Sequence, residues 1–313
     1  VTAGSIKLNE TGTLASTIAM SGGTLDADKN LTVSGALSHS ANITIDVATN
    51  KTLTYSGSAI SVGANTITLT GGGSLVSGGM TLNNANSKLL LNSITLDSAS
   101  TTADSLGLDV NADSTVTALS VGHITPISIA TDKSLSGAIA VTAGSLKLNE
   151  TGTLASTIAM SGGTLDADKN LTVSGALTQT ADIVIDVATG MTLTYSGAAV
   201  NLGAKTLTLS GGGTLSNTNA LVLNNADSLL SLDDSLTVGL ASVTVGSNVG
   251  KGLAVNESST ISSLKVAANT ELNVAQGKVL SGSTEVAAAT TLKLSGTGTF
   301  GSALNLLGTL EAG

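Results

Sequence analysis

Residues Val1 to Leu37 of this 313-residue chain return as Val141 to Leu177, changed only where Ile6 becomes Leu146. A catalytic site built once has no use for a near-perfect second copy, whereas a chain that grows by stacking equivalent units does. The correspondence runs on past the identical block. TLTYSG recurs at Thr52 and Thr192, GGG at Gly71 and Gly211, and LNNA at Leu82 and Leu223. After a slip of a few residues, GLDVNADSTVTALSV from Gly107 answers GLAVNESSTISSLKV from Gly252, and LSGAIAV from Leu135 answers LSGSTEV from Leu280. Near Val286 a third copy opens, with LKLSGTGTF (292–300) repeating LKLNETGTL (146–154). The chain therefore reads as long repeats over 1–140 and 141–285 and a partial third over 286–313, in one continuous array.

A shorter period lies inside each long repeat. Leu8, Leu31, Leu53, Leu75, Leu96 and Leu119 follow one another at a nearly constant spacing, each in a small alternating segment such as IKL, LTV, TLTY or ITL. Period-2 runs broken this often by Gly, Ser, Asn and Asp are strand signals, and no segment sustains a 3.6-residue apolar stripe. The predicted fold class is all-β, a parallel β-solenoid of roughly 22-residue rungs. Ordering one rung costs about 1–2 kcal/mol per residue in backbone entropy. A lone rung cannot offset that, but stacked rungs bury columns of Leu, Ile and Val at about 1.5–3 kcal/mol each. Leu53 and Leu193 are expected to point inward, with the flanking Thr residues outward.

Composition narrows the reading. There are 37 Gly but one Pro, Pro126, which leaves strand hydrogen bonding almost uninterrupted. The aromatics are Tyr55, Tyr195 and Phe300, in keeping with a thin interior that has little room for large rings. No cysteine is present, so a disulfide framework and a thiolate metal site are both excluded. Net charge is −9 and all 12 basic residues are lysine; without arginine or a basic patch, nucleic acid is not an expected partner. No apolar run approaches the roughly 18 residues that span a bilayer, so no membrane insertion is expected. A chain that opens on Val1 without a signal-type segment is read as a processed product or an excised segment.

SGGTLDADKNLTVSGAL, TGGGSLV, SGGGTL and LSGTGTF resemble the Gly-Thr-Leu-rich repeats of bacterial autotransporter passengers and filamentous haemagglutinin-like adhesins. The resemblance implies a right-handed parallel β-helix exported to the cell surface or the extracellular space.

Candidate chemistry is sparse. DADK puts two carboxylates at i and i+2, as Asp26 and Asp28 and again as Asp166 and Asp168. These four are the candidates for a calcium-type site, which needs six to eight oxygen ligands. The simpler reading is a solvated turn, and Asp109 and Asp113 in DVNAD are read likewise. The calcium-binding nonapeptide GGxGxDxUx does not occur, so calcium-dependent folding is not expected. His39 and His123 become Gln179 and Ala268 in the second copy, so neither belongs to a repeated metal centre or general base. No GxSxG elbow accompanies the many serines, and the GGG triplets, with no Lys-Ser/Thr pair after them, are read as tight turns. The N-x-S/T sequons at Asn9, Asn30, Asn42, Asn50, Asn149, Asn170 and Asn256 matter only in a glycosylating host.

The function expected is a structural or adhesive filament or stalk segment, not an enzyme, with no cofactor. Its expected partner is itself, by head-to-tail stacking of rungs, with surface glycans or other cells as further targets. The alternative is a flat-face binder. The T-x-T segments at Thr52/Thr54, Thr66/Thr68, Thr192/Thr194 and Thr206/Thr208 would present hydroxyls outward, as in ice-binding solenoids, although irregular rung length is expected to interrupt the rows. A carbohydrate-active enzyme comes last, because clustered acids and bases are missing.

Overall fold

The computed structural model describes residues 1–240 and 242–313, which form strands and turns with no helix. The chain divides into two compact units, Val1–Thr157 and Ile158–Gly313. Each is a parallel β-solenoid whose turns lay short strands along three faces, here faces 1, 2 and 3 in the order the chain visits them.

In the first unit, face 1 is built from Ser5–Leu8, Thr24–Ala27, Ile43–Val47, Thr66–Thr70, Lys88–Asn92, Gly107–Ala112, Thr125–Ile129 and Ser145–Leu148, each paired in parallel with the next. Face 2 starts with Gly12–Leu14, Leu31–Val33, Thr52–Tyr55 and Ser74–Val76. Face 3 starts with Ile18–Met20 on Leu37–His39, and Ile60–Ser61 on Met80–Leu82. Later turns fuse faces 2 and 3 into single strands, Thr95–Thr101, Ser114–Val121 and Ser134–Val141. The bend falls at Gly137, whose φ of +121° lets its backbone lie on the Val116 carbonyl, where any Cβ would collide.

The second unit repeats this plan. Its face 1 runs Thr164–Ala167, Ile183–Val187, Thr206–Ser210, Leu229–Leu232, Val249–Val255, Thr270–Val274, Thr291–Gly296 and Thr309–Ala312. Fused strands recur as Ser259–Val266 and Val279–Val286, with Gly282 at the bend in the place of Gly137.

Alternation places the apolar set inside. Leu25, Ile45, Leu69, Leu91, Val110 and Ile129 form one inward column on face 1 of the first unit, all essentially buried. On face 2, Leu31, Leu53, Leu75, Leu96 and Val116 form another. The leucine series read from the sequence thus supplies four members of one column, while Leu8 lies on face 1 and Leu119 on face 3. Leu53 and Leu193 are both buried with half-exposed Thr neighbours, as their alternation predicts.

Rung length is irregular, as expected: on face 1 a short turn brings Thr309 onto Thr291, whereas a distinctly longer one brings Ile67 onto Ile43. The variation is absorbed at corners, where side chains replace the missing ladder. The side-chain oxygens of Asn30, Asn42, Asp113, Asn170, Asp182 and Asn269 accept the N–H of Thr52, Thr66, Ser134, Thr192, Thr206 and Thr291, the residues that open strands one turn later. One expectation is corrected: the interior admits rings, since Tyr55 and Tyr195 are 5% and 4% exposed. Each ends a face 2 strand, and its hydroxyl accepts the N–H of Leu37 or Leu177 at 3.1 and 3.0 Å, with Gly57 or Gly197 leaving room beside the ring.

Candidate functional site

With the interior filled by side chains, function falls to the outward residues. Face 1 carries the acids. Asp26 lies outward in Thr24–Ala27 and Asp28 just past its end, exposed. Asp26 is in register with Lys7 on one side, their charged groups 3.2 Å apart, and with Asp46 on the other. The structure therefore joins Asp26 to Asp46, a residue the sequence reading did not single out. The signal was present: TLDA and TIDV carry their Asp at the same strand position, one turn apart. The second copy repeats the stack, with Asp166 in register with Asp186, and Asp168 beyond the strand end.

Asp46 has burial and two carboxylates to contend with. Burial raises its pKa above the ordinary carboxylate value, Asp26 and Asp28 add to the rise, and Lys7 opposes it. Lys7 is itself raised, chiefly by its hydrogen bond to Asp26 and then by that charge. Asp186 has a contact that Asp46 lacks. Ser210, in register one turn on, donates its hydroxyl to Asp186 Oδ1 at 2.5 Å. Among the described residues no group of three or more Asp, Glu or His is spaced to hold a metal ion.

The remaining candidates lie apart. Asp109 pairs with Lys88, and Asp113 accepts both the N–H and the hydroxyl of Ser134. His39, on face 3, lies between the Ser61 carbonyl at 2.9 Å and the Ala41 carbonyl at 3.2 Å. Its replacement Gln179 keeps one such bond, donating to the Leu202 carbonyl. His123 is an exposed corner residue 3.8 Å from Asp104. The GGG triplets are corners, as read: Gly72 and Gly212 bridge the backbone of Ala48 and Ala188, and Gly71 and Gly72 take positive φ.

The T-x-T pairs do not stack on one another. Thr52/Thr54 meets Ser74/Val76, and Thr66/Thr68 meets Lys88/Leu90. A hydroxyl row does persist, through five turns of face 2. It is Thr52, Ser74, Thr95, Thr115 and Ser136 in the first unit, and Thr192, Thr214, Thr237, Thr260 and Ser281 in the second. The last pairs touch, Thr115 to Ser136 at 2.7 Å and Thr260 to Ser281 at 2.8 Å. Beside the first row an open polar groove of about 180 Å³ is lined by Thr95, Thr115, Ser136, Asp113 and Ser134. The T-x-T rows are thus interrupted, as expected from their sequence; the row that persists runs through Ser and Thr of other segments.

No family model matches the chain, and no curated protein or solved structure compared with it matches.

Proposed function

We propose that this chain is a structural or adhesive segment of an extracellular β-helical filament or stalk of a bacterial surface protein. The observation that carries the reading is the equivalence of the two copies in space. Thr24 pairs one turn on with Thr44 as Thr164 does with Val184, Leu31 with Leu53 as Leu171 with Leu193, and Ile43 with Ile67 as Ile183 with Leu207. A sequence block that folds the same way at each occurrence extends reach by repetition, which is what a spacer requires. Self-stacking follows the same logic: an unpaired rung edge is met by another rung, of the same polypeptide or of a second copy. Sedimentation of the 313-residue chain over a concentration series, together with the denatured mass of the native polypeptide, tests this. A native mass far above 30.4 kDa or concentration-dependent assembly supports the filament; a monomer at all concentrations whose native polypeptide has that mass counts against it.

A second reading rests on the hydroxyl rows. Five hydroxyls at the roughly 4.8 Å strand spacing form a regular polar edge that suits a flat surface such as ice or a glycan layer. Thermal hysteresis and ice-crystal shape, compared between the native chain and Thr95→Lys, test it. Ordinary freezing by both proteins removes the ice reading.

A further inference from the structure

The near-identical copies differ at one place where charge is stacked. Asp46 lies outward on Ile43–Val47, half-buried, and faces Asp26 across the sheet, with Asp28 just beyond the same neighbouring strand. Adjacent strands are about 4.8 Å apart, and like charges directly opposite destabilise a sheet. Lys7 lies one turn further off and pairs with Asp26. On the other side, the residues in register are Thr70, which carries a hydroxyl as Ser210 does, and then Asn92, both uncharged. Gly71 packs on the carboxylate so closely that a Cβ there would collide with Asp46 Oδ1.

In the second copy, Asp186 faces Asp166, with Asp168 past the strand end. The next strand, Thr206–Ser210, presents Ser210, which donates to Asp186. Lys205 precedes that strand at its opposite end, and Asp234 accepts the N–H of Gly211 at the corner. A donated hydrogen bond favours the charged carboxylate, whereas Asp46 is given no such bond.

We propose that the Asp26–Asp46 pair is a protonation-sensitive contact between turns, which takes up one proton from solvent on acidification and so tightens the first repeat, whereas in the second repeat Asp186 is held by the Ser210 hydroxyl. The protonated carboxyl group can donate to its neighbour, turning a repulsive contact into a hydrogen bond. Burial and the neighbouring acids raise the pKa of Asp46 in the folded chain. Its contribution to stability is therefore fully present below the unfolded aspartate value and is lost as pH rises through the folded one. The inference does not depend on the filament reading.

The test is the melting temperature of the full chain from about pH 3 to about pH 8, a window that spans carboxylate titration, for the native protein, Asp46→Asn, Asp186→Asn and Thr70→Ser. Asp46→Asn should melt higher than the native chain at neutral pH, with the gap closing as pH falls. Asp186→Asn should melt lower at neutral pH, since it weakens the Ser210 contact. Thr70→Ser, which replaces the branched Thr70 hydroxyl by the residue type that donates to Asp186, should narrow the acid-dependent gain. The proposal is overturned if Asp46→Asn lowers the neutral melting temperature, if the gap is independent of pH, or if Asp186→Asn behaves like Asp46→Asn.

Discussion

The hydroxyls of Thr101 and Thr125 meet at 3.0 Å inside the first unit, and each also has a backbone partner, the Gly122 N–H for Thr101 at 3.2 Å and the His123 carbonyl for Thr125 at 3.1 Å. The second unit keeps Thr270 at the place of Thr125 but has Val245 at the place of Thr101, and the Thr270 hydroxyl, 5% exposed, has no partner. Thr284 is orphaned likewise: it sits between Leu264 and Leu304 where the first unit has Ile139. An unsatisfied buried hydroxyl costs about 1–3 kcal/mol. Thr270→Val and Thr284→Val should each stabilise the chain by about 1 kcal/mol, whereas Thr125→Val should destabilise it. Urea unfolding measures all three, and a loss of stability in Thr270→Val would contradict the assignment.

Burial predicts an asymmetry within one strand. Leu53 is 1% exposed and Thr54 faces outward. Leu53→Asp places an unpaired carboxylate in the column and should cost at least about 3 kcal/mol. Thr54→Asp should stay within about 0.5 kcal/mol. Equal melting temperatures for the two variants would mean that the register is wrong.

Glycines separate by what surrounds them. Gly137 and Gly282 combine positive φ with backbone carbonyls in the path of a Cβ, so Gly137→Ala and Gly282→Ala should cost roughly 2 kcal/mol or more. Gly190 has a φ of +77° but open space, and the first copy places Asn50 there with a φ of 60°. Gly190→Asn should therefore be nearly silent, within about 0.5 kcal/mol. Calorimetric melting of the three variants ranks them directly.

Tyr195 accepts the Leu177 N–H and donates to the Ala198 carbonyl at 2.6 Å. Burial raises its pKa above the ordinary tyrosine value, and the Leu177 hydrogen bond only partly offsets this. The stability tied to this raised value is thus present below the unfolded tyrosine range and disappears as pH climbs through the folded one. Tyr195→Phe should lose about 1–3 kcal/mol at neutral pH, because the Leu177 N–H is left without an acceptor. In alkaline titration followed by tyrosinate absorbance, the native chain should show a late-ionising tyrosine that the variant lacks.

The β-solenoid, the inward Leu53 and Leu193 and the glycine corners were legible because each depends on neighbours along the chain. Alternation of apolar and polar residues sets which way a side chain points, and a Gly triplet between alternating runs can only turn. The repeat added stacking, since TLDA and TLTY recur with their surroundings intact. Contacts between turns were less legible. Asp26 drew attention through its proximity to Asp28, yet the carboxylate in register with it is Asp46, a full turn further along the chain. The row from Thr52 to Ser136 was hidden because its members belong to different segments of the sequence, and the tyrosines looked too large for the interior.

What the sequence by itself determined is the local half of the structure: strand, corner, inward or outward. Tertiary structure alone decided which outward residue stands over which, and so where two carboxylates meet, where Ser210 relieves Asp186 and where Thr270 is left without a partner. The reason is physical. Direction within a strand follows from a backbone period of two residues. Register between turns instead depends on how many residues each corner absorbs, and here that number changes from turn to turn while the packed interior columns hold the strands aligned.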